Sequence, residues 1–458
     1  MTRKEIQHLY QRAGLGISPL KLIKIGNRDR REIVDELFNS SRNLNPLTLD
    51  LSDLKYKRPG MKRPDKLSIK KFFEISQDRL RDYNMIWIKR LLDNPESLRE
   101  RMVLFWANHF SCRDNNIFFV QQYNNTLRRH ALGHFGHFVK AISKEPAMLK
   151  YLNNKQNVKT SPNENFAREL MELFTLGTGQ YTEKDIKESA RAFTGYFHDF
   201  KGRFIIRPKH HDFGRKRFMG RRGNLNGDDI IDIILNQPEC AAFLCRKIYK
   251  YFVNETINEN HIGEMVQVFY PSYRIDELMR FVFESDWFYN RANIGTKIKS
   301  PIELLVGINT IVPLKFNTRE KLIALQRLMG QILLFPSNVA GWQGGRSWID
   351  VNSLLFRLKL PSLLLNNGYI VSHQNRKFDN NIYHRMRSKM KPRNRFEVEA
   401  NWQIFEKNFN EIGIEEMHEY IIQPRALKGT MLMISDYAHP TKQEYCIQLM
   451  SLPEFQMC

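Results

Sequence analysis

Apolar residues recur every three or four positions along most of the chain, which is the spacing of one buried face of an α-helix. The windows with this period, and therefore the predicted helices, are 30–38, 98–110, 121–142, 163–176, 182–193, 230–235, 241–252, 302–311, 319–334, 351–365, 401–409 and 445–449. The pattern predicts a mainly α protein built as a multi-helix globular bundle.

One stretch departs from the helical period. Aromatic and β-branched residues in 196–206 flank Lys201-Gly202, which predicts a small β-hairpin. The segment 208–227 follows, with four glycines and many basic residues, and it is predicted to be a basic glycine-containing loop. Upstream, Thr182 and Asp185 have the spacing of a capping box and predict a helix start.

Two basic, helix-breaking stretches are predicted to be linkers. They are 54–66, with two Arg-Pro steps, and 372–395, with eight Lys or Arg residues. We therefore predict a main helical domain over 1–366, a basic linker over 367–396, and a C-terminal helical segment over 397–458 that packs on the main domain.

Composition narrows the class of protein. The 458 residues are 42% hydrophobic and 12% aromatic, enough for a large core, so general disorder is excluded. The formal charge of +22 favours an anionic partner. Five cysteines with no CxxC pair argue against a disulfide framework or a cysteine zinc knuckle. No apolar run approaches the ~20 residues of a membrane span, and no leader is visible, so a cytoplasmic location is expected.

The most ordered polar pattern lies in 163–174. Four polar residues share one helix face at i, i+3, i+4 and i+7: Asn165, Arg168, Glu169 and Glu172. Two carboxylates one turn apart beside a guanidinium can bind a metal ion or hold an anion. The alternative is a solvated helix face on which Arg168 and Glu172 form an ordinary i,i+4 ion pair.

A second polar face follows on the next predicted helix, with Asp185, Glu188 and Arg191 spaced by threes. The short link 177–181 predicts antiparallel packing, which would let the two acidic faces meet as they do in metal-binding helical bundles. The Glu-x-x-His pair of di-iron bundles is missing from both helices. The alternative is surface charge, with Asp185 supporting the helix dipole.

The basic loop carries a third set of polar groups. His211 and Asp212 are of the types that ligate metals or transfer protons, and Lys216 among glycines could hold an anion. The spacing matches neither a phosphate-binding P-loop nor a dinucleotide fingerprint. The alternative is a flexible basic loop. His109, between two aromatic residues, is either a hydrogen-bonded core histidine or a further site residue.

Two segments concentrate basic residues: 55–71 with eight and 201–222 with nine. No recognisable DNA- or RNA-binding motif accompanies them, so nucleic acid is not the expected partner. A generally basic surface is the simpler interpretation.

Taken in chain order, these motifs resemble the bacterial domain-of-unknown-function family 1800. The blocks that carry the resemblance are 8–16, 105–110, 146–152, 163–177, 181–195, 211–216 and 341–342. The resemblance implies a largely α-helical fold and no established reaction. Related chains often look exported, and they are often encoded beside proteins similar to sulfatases and alkaline phosphatases. This chain has Tyr196 where the family usually carries Trp.

The resemblance favours one shared pocket, built from Asn165, Arg168, Glu169, Glu172, His211, Asp212 and Lys216, with His109 as a further candidate. The first hypothesis is a metal-dependent hydrolase for a phosphate- or sulfate-bearing substrate. In it Glu169, His211 and Asp212 are catalytic, the same three with Glu172 hold a divalent metal ion, and Asn165, Arg168 and Lys216 bind the anion. The second is a non-catalytic accessory protein that binds a polyanion or a sulfatase- or phosphatase-like partner, with the polar motifs as a structural network.

Overall fold

A computed structural model of the chain describes residues 1–52, 54, 66–93, 97–199, 201–366, 398–424, 429–430 and 441–458. Most of the predicted linkers 54–66 and 367–396 lies outside these residues. Over the described part, helices dominate and the strands are short, so the mainly α prediction is confirmed.

Twenty α-helices occur in the described residues. In chain order they are α1 (Arg3–Gly14), α2 (Pro19–Ile25), α3 (Arg30–Ser40), α4 (Lys66–Asp93), α5 (Ser97–His109), α6 (Ile117–His130), α7 (Phe135–Ile142), α8 (Pro146–Tyr151), α9 (Asn165–Glu169), α10 (Glu183–Ala192), α11 (Gly227–Leu235), α12 (Pro238–Phe252), α13 (Glu259–Phe269), α14 (Ile275–Glu284), α15 (Pro301–Ile311), α16 (Arg319–Leu328), α17 (Val351–Leu365), α18 (Trp402–Asn408), α19 (Met417–Ile421) and α20 (Lys442–Met450). A π-helix, Leu170–Thr175, continues α9.

Local capping explains where several helices begin and end. The capping box of Thr182 and Asp185 is present at the start of α10, as predicted. The predicted helix 121–142 is instead two helices, α6 and α7, because the His134 side chain accepts a hydrogen bond from the Gly136 amide (3.0 Å) and begins a new helix. The helices that were not predicted are α1, α2, α4, α8, α13, α14 and α19.

Three two-stranded antiparallel sheets occur in the described residues. The predicted hairpin is β1 (Tyr196–His198) with β2 (Phe204–Ile206). The predicted loop 208–227 contains a second hairpin, β3 (Lys216–Phe218) with β4 (Arg221–Gly223). The third sheet pairs β5 (Leu314–Phe316) with β6 (Val398–Ala400), two strands far apart in the sequence.

A continuous apolar core joins these elements. Trp106 is fully buried among the rings of Phe110, Phe135 and Phe138, with centroids 5.1–5.9 Å away. At the end of the chain, the Lys297 amide donates to the Cys458 carbonyl (3.0 Å), and α20 packs on α17. Among the described helices, none combines the length and apolarity needed to cross a membrane.

Candidate functional site

The helix α9 carries the first predicted polar face. Its Arg168 pairs with Glu164 (3.2 Å) and with Glu183 of α10 (2.9 Å), rather than with Glu172. The chain changes from an α-helix to a π-helix after Glu169, which widens the turn before Glu172. Glu172 instead accepts a hydrogen bond from the Tyr181 hydroxyl (3.2 Å). Two of the four side chains of this face, Arg168 and Glu172, thus have polar partners.

Glu169 differs from its neighbours on this face. Its side chain is half-buried, and burial together with the nearby Glu172 raises its pKa, against the opposing charge of Arg168. Its charge acts on the Tyr151 hydroxyl, whose pKa is raised mainly by burial. Asn165, at the start of α9, is exposed. Glu169 is therefore the carboxyl on this face that is best suited to proton transfer.

The π-helix Leu170–Thr175 leaves carbonyl oxygens that other elements satisfy. Nε2 of His109 donates to the Phe174 carbonyl (3.0 Å), and Nζ of Lys247 donates to the Leu173 carbonyl (2.8 Å). Burial lowers the pKa of both groups, to about 8 for Lys247. His109 is a buried, hydrogen-bonded histidine, as one of the two sequence interpretations held.

The second polar face, on α10, holds the β3–β4 hairpin. Asp185 accepts from the Met219 amide (3.0 Å), and Glu188 accepts from the Arg217 amide (2.7 Å). These two carboxylates therefore satisfy backbone donors of the hairpin, which fixes the position of the hairpin against the helix.

Arg191 completes this contact. Its guanidinium binds Glu188 on its own helix (3.0 Å) and Asp212 in the loop (2.8 Å). Although partial burial opposes it, the hydrogen bond from Arg191 lowers the pKa of Asp212. Lys216 is buried and donates to the carbonyls of Asp212 (2.6 Å) and Gly214 (3.1 Å). The contacts of Lys216 with the Asp212 and Gly214 carbonyls thus stabilise the conformation of the loop.

His211 is held by the turn that follows α10. Its buried ring donates from Nδ1 to the Thr194 carbonyl (2.7 Å), while the Thr194 hydroxyl accepts from the Asp212 amide (2.8 Å). Gly195 stands next in this turn with φ +74°. A Cβ at Gly195 would lie 2.8 Å from the Arg207 carbonyl oxygen and 2.9 Å from the His211 nitrogen, so the loop needs glycine here.

The helices α9 and α10 do meet, through the edge-to-face contact of the Phe166 ring with the ring of Phe193, the residue after α10 (centroids 4.9 Å apart), and through the Arg168–Glu183 pair. Within the described ranges, however, no group of three or more His, Cys, Asp or Glu side chains could hold a metal ion. The metal role of Glu169, Glu172, His211 and Asp212 gains no support from the geometry and stays a prediction.

The two hairpins and the loop between them carry many exposed basic residues. Six basic residues of β2–β4 and their connections are exposed and form no ion pair among the described residues. We call them the basic face: Arg207, Lys209, Arg215, Arg217, Arg221 and Arg222. The one acidic residue within 201–222 is Asp212, which Arg191 already binds. The guanidinium of Arg207 also lies 3.2 Å from the centre of the Phe197 ring.

Sequence reasoning did not single out several charged or aromatic residues that lie near the motif helix α9 or in the segments before it. Lys247 is a single lysine on an amphipathic helix, and nothing in the local sequence indicates that it contacts the Leu173 carbonyl. Tyr151 and Lys150 lie in the block 146–152 that carries the family resemblance, but their side chains were not singled out. Arg113, in the loop after α5, stands in no motif.

No curated protein and no solved structure matches the chain. A family model does match nearly the whole of it, over residues 8–457, including the motif helices and both hairpins. The chain belongs to the family described as protein of unknown function DUF1800.

Proposed function

We propose that this protein is a non-catalytic binding protein for a polyanion, which it holds on the basic face. The observation that carries the proposal is the exposed, unpaired charge of the six residues of that face. A flexible polyanion that contacts such a surface releases condensed counterions, which drives binding without any deep pocket.

In this function, the polar motifs have a structural role. Asp185 and Glu188 accept from backbone amides of the β3–β4 hairpin, and Arg191 ties the same helix to Asp212. These contacts fix the hairpin backbone that carries the exposed arginines before a ligand arrives. Preorganised charges lose less conformational entropy on binding than charges on a free loop.

The test uses inorganic polyphosphate as the probe, with fluorescence titration at several salt concentrations. We expect affinity to fall steeply with salt, and the triple variant Arg217→Gln, Arg221→Gln, Arg222→Gln to bind at least about tenfold more weakly with a shallower salt slope. The matched control removes three exposed charges elsewhere, by Lys24→Gln, Lys250→Gln and Arg327→Gln. Equal losses in the two triple variants would reject the basic face as the site.

One observation favours a second candidate, the metal-dependent hydrolase. Glu169 is half-buried with a raised pKa and forms no ion pair among the described residues, which suits an acid or base in catalysis. Metal content measured by mass spectrometry on untagged protein tests it, beside Glu169→Ala and His211→Ala. Stoichiometric metal that both variants lose would favour the hydrolase over the binding protein. Metal-free wild type with no phosphate or sulfate release would count against the hydrolase.

A further inference from the structure

A cleft of about 600 Å³ opens on a part of the molecule to which no role has been assigned. Four separate segments contribute its walls: α4, the loop between α5 and α6, the end of α8, and the loop after α16. The residues that line it are Phe73, Arg113, Asp114, Asn115, Lys150, Tyr151 and Phe335. No residue of the basic face lines it. Its volume lies within the ~300–1,000 Å³ of small-molecule sites.

The charged groups of the cleft leave one cation available. The Lys150 ammonium pairs with the buried Asp114 carboxylate (2.5 Å), which also accepts from the Asn116 amide (2.7 Å). Arg113 is exposed and forms no ion pair among the described residues. An exposed guanidinium beside an already neutralised carboxylate can bind a phosphate or sulfate through two parallel hydrogen bonds.

Charges around the rim keep the cleft positive. Lys155 lies close enough to Lys150 that the like charge helps to lower the pKa of Lys155, after burial. Glu169 is the opposing group. Burial raises the pKa of the Tyr151 hydroxyl, the charge of Arg113 lowers this pKa, and the charge of Glu169 raises it. The cations Arg113, Lys150 and Lys155 thus outnumber the carboxylates Asp114 and Glu169.

Aromatic rings supply the other half of the recognition. Phe73 is 36% exposed, and Phe335 and Tyr151 are half-buried, so three rings present apolar surface to the same cleft. Partly exposed rings around a cavity favour a flat or apolar ring in the ligand, by stacking and by burial of apolar area.

We infer that this cleft binds a small molecule in which a flat ring carries a phosphate or sulfate group. Arg113 holds the anionic group, and Phe73, Tyr151 and Phe335 enclose the ring. The inference does not rest on the polyanion function, because the two sites share no residue.

The experiment is a calorimetric titration of the full chain with 4-nitrophenyl phosphate and, separately, 4-nitrophenyl sulfate. Inorganic phosphate and 4-nitrophenol are the probes that carry only one half of the recognition. We expect one of the two ring-bearing anions to bind at least about tenfold more tightly than either half alone, since both parts of the ligand contribute. The preferred anion identifies phosphate or sulfate as the natural group.

Arg113→Gln is the decisive variant, since an exposed residue without an ion pair can be changed without unfolding the protein. We expect it to weaken binding of the ring-bearing anion by about tenfold or more and to leave polyphosphate affinity unchanged. Arg327→Gln, an exposed change elsewhere, is the control. Phe335→Ala should weaken the ring-bearing anions while leaving inorganic phosphate unaffected.

Three results would overturn the inference. One is Arg113→Gln binding as tightly as wild type. Another is 4-nitrophenyl phosphate and sulfate both binding no better than inorganic phosphate. The third is loss of their binding in the Arg217, Arg221, Arg222 triple variant but not in Arg113→Gln, which would place these anions on the basic face. The polyanion proposal fails separately, if the two triple variants lose polyphosphate equally.

Discussion

Arg191 joins three parts of the molecule through one guanidinium. It binds Glu188 on α10 and Asp212 in the loop, and its Nη2 reaches the Arg215 carbonyl (3.3 Å). The contacts with Glu188 and Asp212 are partly buried, and hydrogen bonds to charged groups contribute more to stability than neutral ones. Residues that look catalytic in the sequence are here the groups that connect a helix to a hairpin.

Asp212→Asn should lower the free energy of unfolding by about 1–2 kcal/mol, because it removes the charge that Arg191 neutralises. Urea denaturation at neutral pH measures the change. Glu183→Gln removes an exposed partner of Arg168, so it should lower the free energy of unfolding much less than Asp212→Asn does. A metal ligand or catalytic group would behave differently, since its loss commonly leaves stability unchanged.

Lys247 should make stability depend on pH above neutrality. Burial lowers its pKa in the folded protein to about 8, below the ordinary value of 10.5, so the unfolded chain binds more protons between these values. The contribution of this group to the free energy of unfolding therefore rises as pH rises from about 8 towards 10.5. Lys247→Met should show a smaller rise between pH 8 and 10 in urea denaturation.

Lys250→Met is the control for this pH dependence, since Lys250 is exposed on the same helix. A slope as steep in Lys247→Met as in wild type would contradict the assignment to Lys247.

At the scale of elements, the turn after α10 decides how the loop approaches the helices. Gly195 has a positive φ, and its amide donates to the Asn157 carbonyl (2.9 Å) while its carbonyl accepts from the Arg207 amide (2.8 Å). The same turn holds His211 through Thr194. A helix period alone does not predict these contacts, because each partner comes from a different segment.

Gly195→Ala should destabilise the protein by roughly 2–4 kcal/mol, from left-handed backbone strain and from contact of the new Cβ with two backbone groups. Gly179→Ala is the matched control, because Gly179 has a similar φ (+84°) but no atom within 4 Å of an added Cβ. Gly179→Ala should destabilise the protein only by the ~1–2 kcal/mol of left-handed backbone strain. Similar melting temperatures for the two variants would show that the close backbone approach at Gly195 has little effect.

At the scale of the whole molecule, the most unusual feature is a buried cluster of cations between the first helices and the end of the chain. Its basic members are all under 8% exposed: Arg12, Arg101, Lys297, Lys299 and Arg357. Glu303 is a buried carboxylate among them, and it pairs with both Arg101 and Lys297. Although burial opposes it, Arg101 and Lys297 lower the pKa of Glu303 well below its ordinary value.

Glu303→Gln should be among the most destabilising single changes, at about 3–5 kcal/mol, because it leaves two buried cations without their carboxylate. Thermal unfolding of this variant beside Glu416→Gln, an exposed change, measures it. In wild type, the contribution of Glu303 to the free energy of unfolding is fully present above pH 4.5. It is lost as the pH falls through the lowered pKa of Glu303 in the folded state. A Glu303→Gln protein as stable as wild type would contradict this role.

Much of the architecture follows from local signals. The helical period predicted most helices because one apolar face is buried on each, and Thr182 predicted the start of α10 because capping involves residues three apart. Helix bounds differed where a side chain such as His134 began a new helix or the chain adopted a π-helix. The β3–β4 hairpin was missed because its strands are three residues long and rich in arginine.

The sequence by itself determined the mainly α class, the β1–β2 hairpin, the concentration of basic residues in 201–222, and the identity of the polar motifs, because each depends on residues close together in the chain. Only the tertiary structure decided what those polar groups contact. Arg191 meets Asp212 rather than a metal-binding carboxylate set, and the cleft joins Phe73 to Phe335. The physical reason is that long-range packing determines which partner a buried or charged group contacts, and the local sequence pattern does not predict that packing.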